Sequence, residues 1–277
     1  MALTAELRAF WETVNGMSLV VDPQPWGAVA TDARFPLVWD ANHASVFVAP
    51  GPSLHDVRSA LLPALRAAGA GYEHVECWDL PADDPLVAEL RKDHGTEGAD
   101  VVMVHEGDEA RTPMPPSEAE VREVDANDDE FWAWYGGTRN SFGGVMTGEV
   151  IAQLVRRDRE VIATHGARWF VGHLDGRRAG LTSLHHLAGV DYADNVVTLE
   201  PFRRRGVAAA MIDAATRASR ESGTEVLHLL AEEGGAPSRM YERLGFRVHH
   251  RVVSFTRRLD ATPGAAPDAA PGERTNA

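Results

Sequence analysis

Residues 199–212 read LEPFRRRGVAAAMI, an order of residue types that can hold an anion. Arg203, Arg204 and Arg205 stand side by side, Gly206 follows, and Val207, Ala208 and further small residues open a helical pattern. The first N–H groups of a helix have no intrahelical acceptor and lie at the positive end of its dipole. A phosphate placed there accepts several backbone hydrogen bonds at once. Gly206 has no side chain to hold such a group off the backbone, and the alanines behind it keep the helix start open. Each arginine can add a charge-assisted hydrogen bond worth about 1.5–3 kcal/mol. The chain as a whole is acidic, with 27 Lys+Arg against 41 Asp+Glu and a net charge of −14. That balance argues against a nucleic-acid surface and makes the arginine turn a local device. It is not a P-loop, because no lysine or hydroxyl follows Gly206, and its one glycine does not make the GxGxxG dinucleotide turn.

The turn needs a strand before it and a helix after it, and the surrounding pattern supplies both. AEVREVD (119–125) reads as a strand and DDEFWAWYGG (128–137) as a short aromatic helix. Thr147 is placed to cap a helix running to about Thr164, with Val150, Ile151, Leu154 and Val155 on its buried face. ARWFVGHL and AGLTSLHHL flank Asp175-Gly176, a dipeptide suited to a two-residue hairpin turn. DYADNVVTLE then leads into the arginines. A helix over 206–222, the strand EVLHLLAE, the helix PSRMYERLG and the strand VHHRVVSFTR complete the order β-α-α-β-β-β-α-β-α-β.

These residues resemble the GNAT acyltransferases. Arg203-x-x-Gly206-x-Ala208 is similar to the family's [Q/R]-x-x-G-x-[G/A] turn, and Met240-Tyr241-Glu242-Arg243-Leu244-Gly245-Phe246 is similar to its (L/M)Y-x-x-x-GF helix end. The resemblance covers about residues 118–257. It implies a mixed, mostly antiparallel sheet flanked by helices, with acetyl-CoA or another acyl-CoA as donor. The diphosphate would lie on the N–H groups of residues 204–208, including Arg204, Arg205, Gly206, Val207 and Ala208, beside Arg203. Pantetheine would pair with the strand ending at Thr198 and Leu199, and a backbone N–H of one of these two would polarise the thioester carbonyl. Tyr241 falls at the position of the acid that protonates the departing thiolate. The implied reaction is direct attack by an amine acceptor; the alternative is an acyl-CoA-binding sensor without turnover.

The base does not carry over, because Tyr192 stands where many members have glutamate. Asp194, two residues on and on the same strand face, is the first candidate. Asp191, His185 and His186 are others, and relay through water needs no dedicated base. Two further departures are Glu200, an acid beside the diphosphate turn, and Gly234, where an asparagine is frequent. The aromatics Phe131, Trp132, Trp134, Tyr135 and Phe142 read either as an acceptor pocket or as helix packing. His185-His186 and His249-His250 do not suggest metal, since neighbours on a strand point to opposite faces. No metal is expected.

Three prolines within residues 113–116 mark residues 111–117 as a linker between an N-terminal α/β domain (1–110) and the GNAT-like domain (118–257). A Pro/Ala/Gly-rich tail over 258–277 reads as disordered. Residues 53–105 repeat the order helix, strand, helix, strand. A shift of 150 sets Val57 over Val207 and His94-Gly95 over Leu244-Gly245, but also Ser53 over Arg203, Asp56 over Gly206 and Arg91 over Tyr241. The first half thus resembles a degenerate GNAT copy without donor site or acid. The N-terminal MALTAELRAFWETV reads as an amphipathic helix capped by Thr4, not a secretory signal. Cys77, the single cysteine, excludes an internal disulfide, and a cytoplasmic protein without membrane spans is expected.

Overall fold

The structure is a computed structural model that describes residues 4–93, 96–112, 117–139 and 146–259. The expected linker residues 113–116, the His94-Gly95 pair, Phe142 and the tail beyond residue 259 lie outside the described residues. The chain forms two compact units. Of the described residues, the first takes in 4–93, 96–100, 147–154 and 250–259, and the second 101–112, 117–139, 146 and 155–249. Among the described residues no helix is long and apolar enough to cross a membrane.

In the first unit, helix α1 (Ala5–Asn15) starts at Thr4, whose hydroxyl accepts from the Leu7 N–H. Strands β1 (Val20–Gln24), β2 (Gly27–Thr31) and β3 (His43–Val46) pair antiparallel in succession. Helix α2 (Leu54–Ala68) crosses over to β4 (Tyr72–Trp78), which lies parallel to β3. Gly69, in the left-handed region at φ 69°, ends α2. Helix α3 (Pro85–Asp93) and strand β5 (Thr96–His105) follow. On the far side of β4 lie residues 252–258 of the last strand, β11 (Phe246–Arg258). Val57, Leu61 and Leu65, spaced by four along α2, pack with Val29, Val46, Val75 and Phe255 into the core.

Residues 120–258 have the expected element order. Strand β6 (Glu120–Val124) is followed by helices α4 (Asp129–Thr138) and α5 (Gly148–Arg157). Strands β7 (Arg168–Leu174), β8 (Arg177–Leu187) and β9 (Val190–Thr198) come next. Helix α6 (Val207–Glu221), strand β10 (Val226–Glu232) and helix α7 (Ala236–Arg243) lead to β11. The strands lie in the order β5, β10, β9, β8, β7, β6. Asp175 and Gly176 both take positive φ, 54° and 72°, in a two-residue hairpin turn. Ala188-Gly189, at 51° and 78°, makes a second such turn that the composition did not announce. Apolar faces of α6 and α7, including Ile212, Ala215, Tyr241 and Leu244, meet Phe170, Leu184, Leu229 and Phe246 from the strands.

The helix capped by Thr147 is shorter than expected. Thr147 accepts from the Val150 N–H, but α5 ends at Arg157 and passes into a π turn over Asp158–Ile162. Of its expected buried face only Val150 is fully covered. The π turn points the Asp158 carboxylate inward, where buried Tyr135 and Arg139 hold it.

Candidate active site

Strands β9 and β10 are parallel neighbours over only three rungs, Val226↔Val190, Leu227↔Asp191 and His228↔Tyr192. Past the last of these β9 continues to Thr198 and β10 to Glu232 without pairing to each other. On its other side β9 stays paired to β8, with a bulge: Leu181 faces Val197 and Ser183 faces Asp194, so Asn195 and Val196 together oppose Thr182. Asn195 takes φ 54°, a left-handed conformation that asparagine tolerates, and the bulge adds bend to the strand. The two strands therefore open like a V, leaving backbone donors and acceptors of β9 to pair with something else.

The arginine turn lies at the end of β9. A short 3-10 turn, Glu200–Phe202, buries Phe202, and the chain reaches α6 through Arg204 at φ 60° and Gly206 at φ 77°. No side chain caps α6. None of the N–H groups from Arg204 to Ala209 has an acceptor among the described residues, and the first bond made on entering the helix is Ala210 N–H to the Gly206 carbonyl. Arg203 Nε donates to the Thr198 carbonyl at 3.2 Å, and Arg205 pairs with Asp175 at 3.0 Å. Arg204 is exposed and has no ion pair among the described residues. Gly206 has a further reason beside the one its sequence position suggested. Besides its positive φ, a Cβ there would lie 2.9 Å from the Ser117 Cβ, so the glycine serves the turn and the close approach of Ser117.

A cleft of about 700 Å³ joins these parts. Its walls bring together Thr198, Arg203, Arg204, Arg205, Gly206, Val207, Ala208 and Tyr241 from the expected set. Sequence reasoning missed Val196, Ala236, Pro237 and Met240, which line it too; they are apolar or turn residues with no chemistry of their own to flag them. Tyr241 projects from α7, is 1% exposed, and its hydroxyl has no partner among the described residues. Burial first, and then the charge of Asp194, push this phenol well above its ordinary range, so it keeps its proton.

Two expected residues do not line the cleft. The Leu199 N–H donates to the Ala179 carbonyl at 2.9 Å, so it is not free to polarise a thioester. Donors alternate sides along an antiparallel pair. Thr198, opposite Gly180 and one residue back, therefore turns its N–H away from β8 and toward the open edge. Asp194 is half-buried beside the cleft: its Oδ1 accepts from the Tyr192 hydroxyl and its Oδ2 from the Asn195 amide, each at 3.2 Å. Tyr192 and Asp194 do share a strand face.

The other candidate bases have structural partners. Asp191 is fully buried and bonds His186 Nδ1 at 2.8 Å. His185 is buried against Ser183, and burial above all lowers its pKa and holds it neutral. Each histidine pair splits between faces: His185 is buried while the His186 side chain is 56% exposed. Behind the bulge, Arg139 Nη1 donates to Asn195 Oδ1 at 3.0 Å and the Tyr135 hydroxyl donates to Asp158 at 2.5 Å. Phe131, Trp132 and Tyr135 are buried around Trp169 with ring centres 5.2–5.6 Å from it, so these aromatics pack the helix and are not among the residues lining the cleft.

An open parallel pair, a bulged strand and an uncapped basic helix start coincide with a family match: residues 165–248 match the acetyltransferase (GNAT) domain. This region is a GNAT domain. A GCN5-related N-acetyltransferase from Kribbella flavida shares its fold at TM-score 0.66 and 16% identity, over 94% of this chain and 97% of that one. A functionally unknown conserved protein from Staphylococcus epidermidis superposes at TM-score 0.68 and 12% identity, over 86% and 92%. A tandem GNAT protein from the clavulanic acid biosynthesis pathway does so at 0.54 and 15%, over 79% and 76%. These likenesses extend the GNAT fold over most of the chain. No curated protein matches the sequence.

Proposed function

We propose that the chain is an acyl-CoA-dependent N-acyltransferase that moves an acetyl group from acetyl-CoA to a primary amine by direct attack. The observation that carries this reading is the meeting, in one cleft, of an uncapped α6 start flanked by three arginines, the unpaired edge of β9 and a protonated Tyr241. The diphosphate takes the N–H groups of residues 204–208, with Arg204 and Arg203 beside it. The thioester chain adds to the open edge of β9, where the Thr198 N–H faces the carbonyl oxygen and stabilises the charge it gains on attack. The amine nitrogen attacks the carbonyl carbon, the C–S bond breaks, and Tyr241 gives its proton to the sulfur. Asp194, whose charge reaches the Tyr241 hydroxyl, takes the amine proton through water. Cys77 is buried in the first unit and its thiol is pushed upward by burial, so no acyl-cysteine step is invoked.

The first unit supports the fold and binds no acyl-CoA. A single buried thiol accords with a reducing cytosol.

Titration of the chain with acetyl-CoA by calorimetry tests the donor site, with Arg204→Asp as the control variant. Arg204 is exposed at a left-handed φ that aspartate tolerates, so the fold survives while the charge reverses. One-site binding that weakens about 10- to 100-fold in the variant supports the reading; no binding by the parent chain overturns it. A second reading, acyl-CoA binding without turnover, draws on the absence of any carboxylate or histidine among the cleft's lining residues. Binding with no thiol release across a panel of primary amines would select it.

A further inference from the structure

In the first unit, one face of β4 carries a group of side chains that the acyl-transfer site does not use. His74 and Glu76 are two apart on the strand and so share a face. Asp40 reaches them from the 3-10 turn Trp39–Ala41, and one ligand atom from each of the three lies within 4.8 Å of the others. Trp39 stacks on the His74 ring, with centres 5.9 Å apart and planes 22° from parallel. Thr256, the residue directly opposite His74 on β11, fixes its Nδ1 through Oγ1 at 2.7 Å.

The other ring nitrogen is the telling atom. His74 is 3% exposed, and its Nε2 is buried with no hydrogen-bond partner among the described residues. Glu76 Oε1 stands 3.5 Å away, too long for a hydrogen bond, while Glu76 Oε2 accepts from Trp78 Nε1 at 3.2 Å. If Nδ1 donates to Thr256, Nε2 holds a bare lone pair facing a carboxylate; if Thr256 donates, Nε2 holds an unused N–H. Buried polar groups are rarely left so.

We propose that Asp40, His74 and Glu76 bind a divalent transition-metal ion, with zinc the best match. A cation accepts the Nε2 lone pair and offsets the two carboxylates, and an imidazole ring held through its second nitrogen is the usual state of a metal-bound histidine. Mixed nitrogen and carboxylate donors select zinc or its neighbours over magnesium and calcium, which take oxygen ligands. Ligand atoms of a tetrahedral zinc site lie about 3.4 Å apart, from bond lengths of about 2.1 Å. The Nε2–Oε1 separation of 3.5 Å already meets this. Asp40 is half-buried and has to swing inward to complete the set, and water takes the fourth position. The pattern His74-x-Glu76 was legible in the sequence, but Asp40, 34 positions away (74 − 40), was not.

The test is calorimetric titration of the full chain with Zn²⁺, run beside Mg²⁺, and visible absorption on adding Co²⁺. One Zn²⁺ per chain, Co²⁺ bands in the visible and a higher Tm with Zn²⁺ are expected, with Mg²⁺ doing none of these. His74→Gln should abolish binding and the Co²⁺ bands, and Asp40→Asn should weaken binding at least tenfold. Should His74→Gln fail to fold, Asp40→Asn, changed at a half-buried position, still decides. The proposal is overturned if the parent chain binds no Zn²⁺ saturably, if Mg²⁺ binds as tightly, or if both variants bind Zn²⁺ as the parent does, which would assign the ion to exposed histidines.

Discussion

Two crossovers in this chain have the same plan and opposite outcomes. In the first unit β3 leads through α2 to the parallel strand β4; in the second β9 leads through α6 to the parallel strand β10. Pairing between β3 and β4 also has three rungs but runs to Val46, the last residue of β3, so that strand has no unpaired continuation beyond its partner. Pairing between β9 and β10 stops at Tyr192, and the rest of β9 stands open. The helix starts differ in the same sense. Ser53 caps α2, accepting from the Asp56 N–H at 3.2 Å and donating to the Asp56 carboxylate at 2.6 Å, so α2 carries its own anion. Gly206 caps α6 with no side chain, and the first N–H groups of that helix have no acceptor among the described residues. A site of this kind comes from withholding two ordinary kinds of satisfaction, strand pairing and side-chain capping, at one place.

The structure also corrects the alignment of the two halves. Ser53 and Gly206 are both caps, so α2 and α6 start at a shift of 153 (206 − 53), although α3 and α7 still end at a shift of 150 (243 − 93), and Asp56 falls in the first turn of α2 rather than on the glycine. Arg91 does not stand in for Tyr241 either. It is an exposed partner of Glu97, while the buried residue near the end of α3 is Leu90.

The comparison is most strongly tested at the acid. Tyr241→Phe should lower kcat by about 100-fold, within the range for a general acid, and leave the Kd for acetyl-CoA unchanged. An equal loss in both would make Tyr241 a packing residue like Leu90. At the cap, Gly206→Ala should destabilise the chain by about 1–3 kcal/mol, from its left-handed φ and the approach of Ser117. Adding Ser117→Gly should return the part due to contact; a double variant no more stable than Gly206→Ala would show that φ alone matters.

At the root of the open pair, Tyr192 stacks on His228, ring centres 4.9 Å apart, on the last shared rung. Burial pushes His228 down to about 3, so the folded chain keeps it neutral where the unfolded chain, near its ordinary 6.5, takes up a proton. Unfolding then binds the extra proton between these values. Stability falls as pH drops below 6.5, by up to about 1.4 kcal/mol per unit for this group. Urea unfolding at pH 7 and pH 5 should show the loss, and His228→Gln should reduce it; an unchanged slope would mean that other groups carry it. The smallest effect is expected at the closed crossover. Ser53→Ala should cost about 1 kcal/mol of stability and leave acetyl-CoA affinity untouched; a change in affinity would give the first unit a part in donor binding.

Much of the second unit was legible because its signals are local. Asp175-Gly176 makes its turn by backbone preference, the periodicity of α6 sets which face is buried, and the arginines next to Gly206 mark the helix start. What failed depended on partners distant in the chain. The early end of α5 follows from Asp158 reaching Tyr135 and Arg139, which no local propensity contains. The aromatics of α4 pack because Trp169, more than thirty residues on, faces them. Leu199 lost its expected role because its N–H meets Ala179 across a strand pair.

The sequence by itself determined the order of the elements over residues 119–258, the basic turn and the position of Tyr241, since each is written in contiguous residues with fixed backbone preferences. Only the tertiary structure decided that β9 parts from β10 after Tyr192, that Thr198 rather than Leu199 offers its N–H, and that Asp194 stands beside the cleft rather than in it. Strand pairing and burial join residues far apart in the chain, and their geometry exists only once those residues have met.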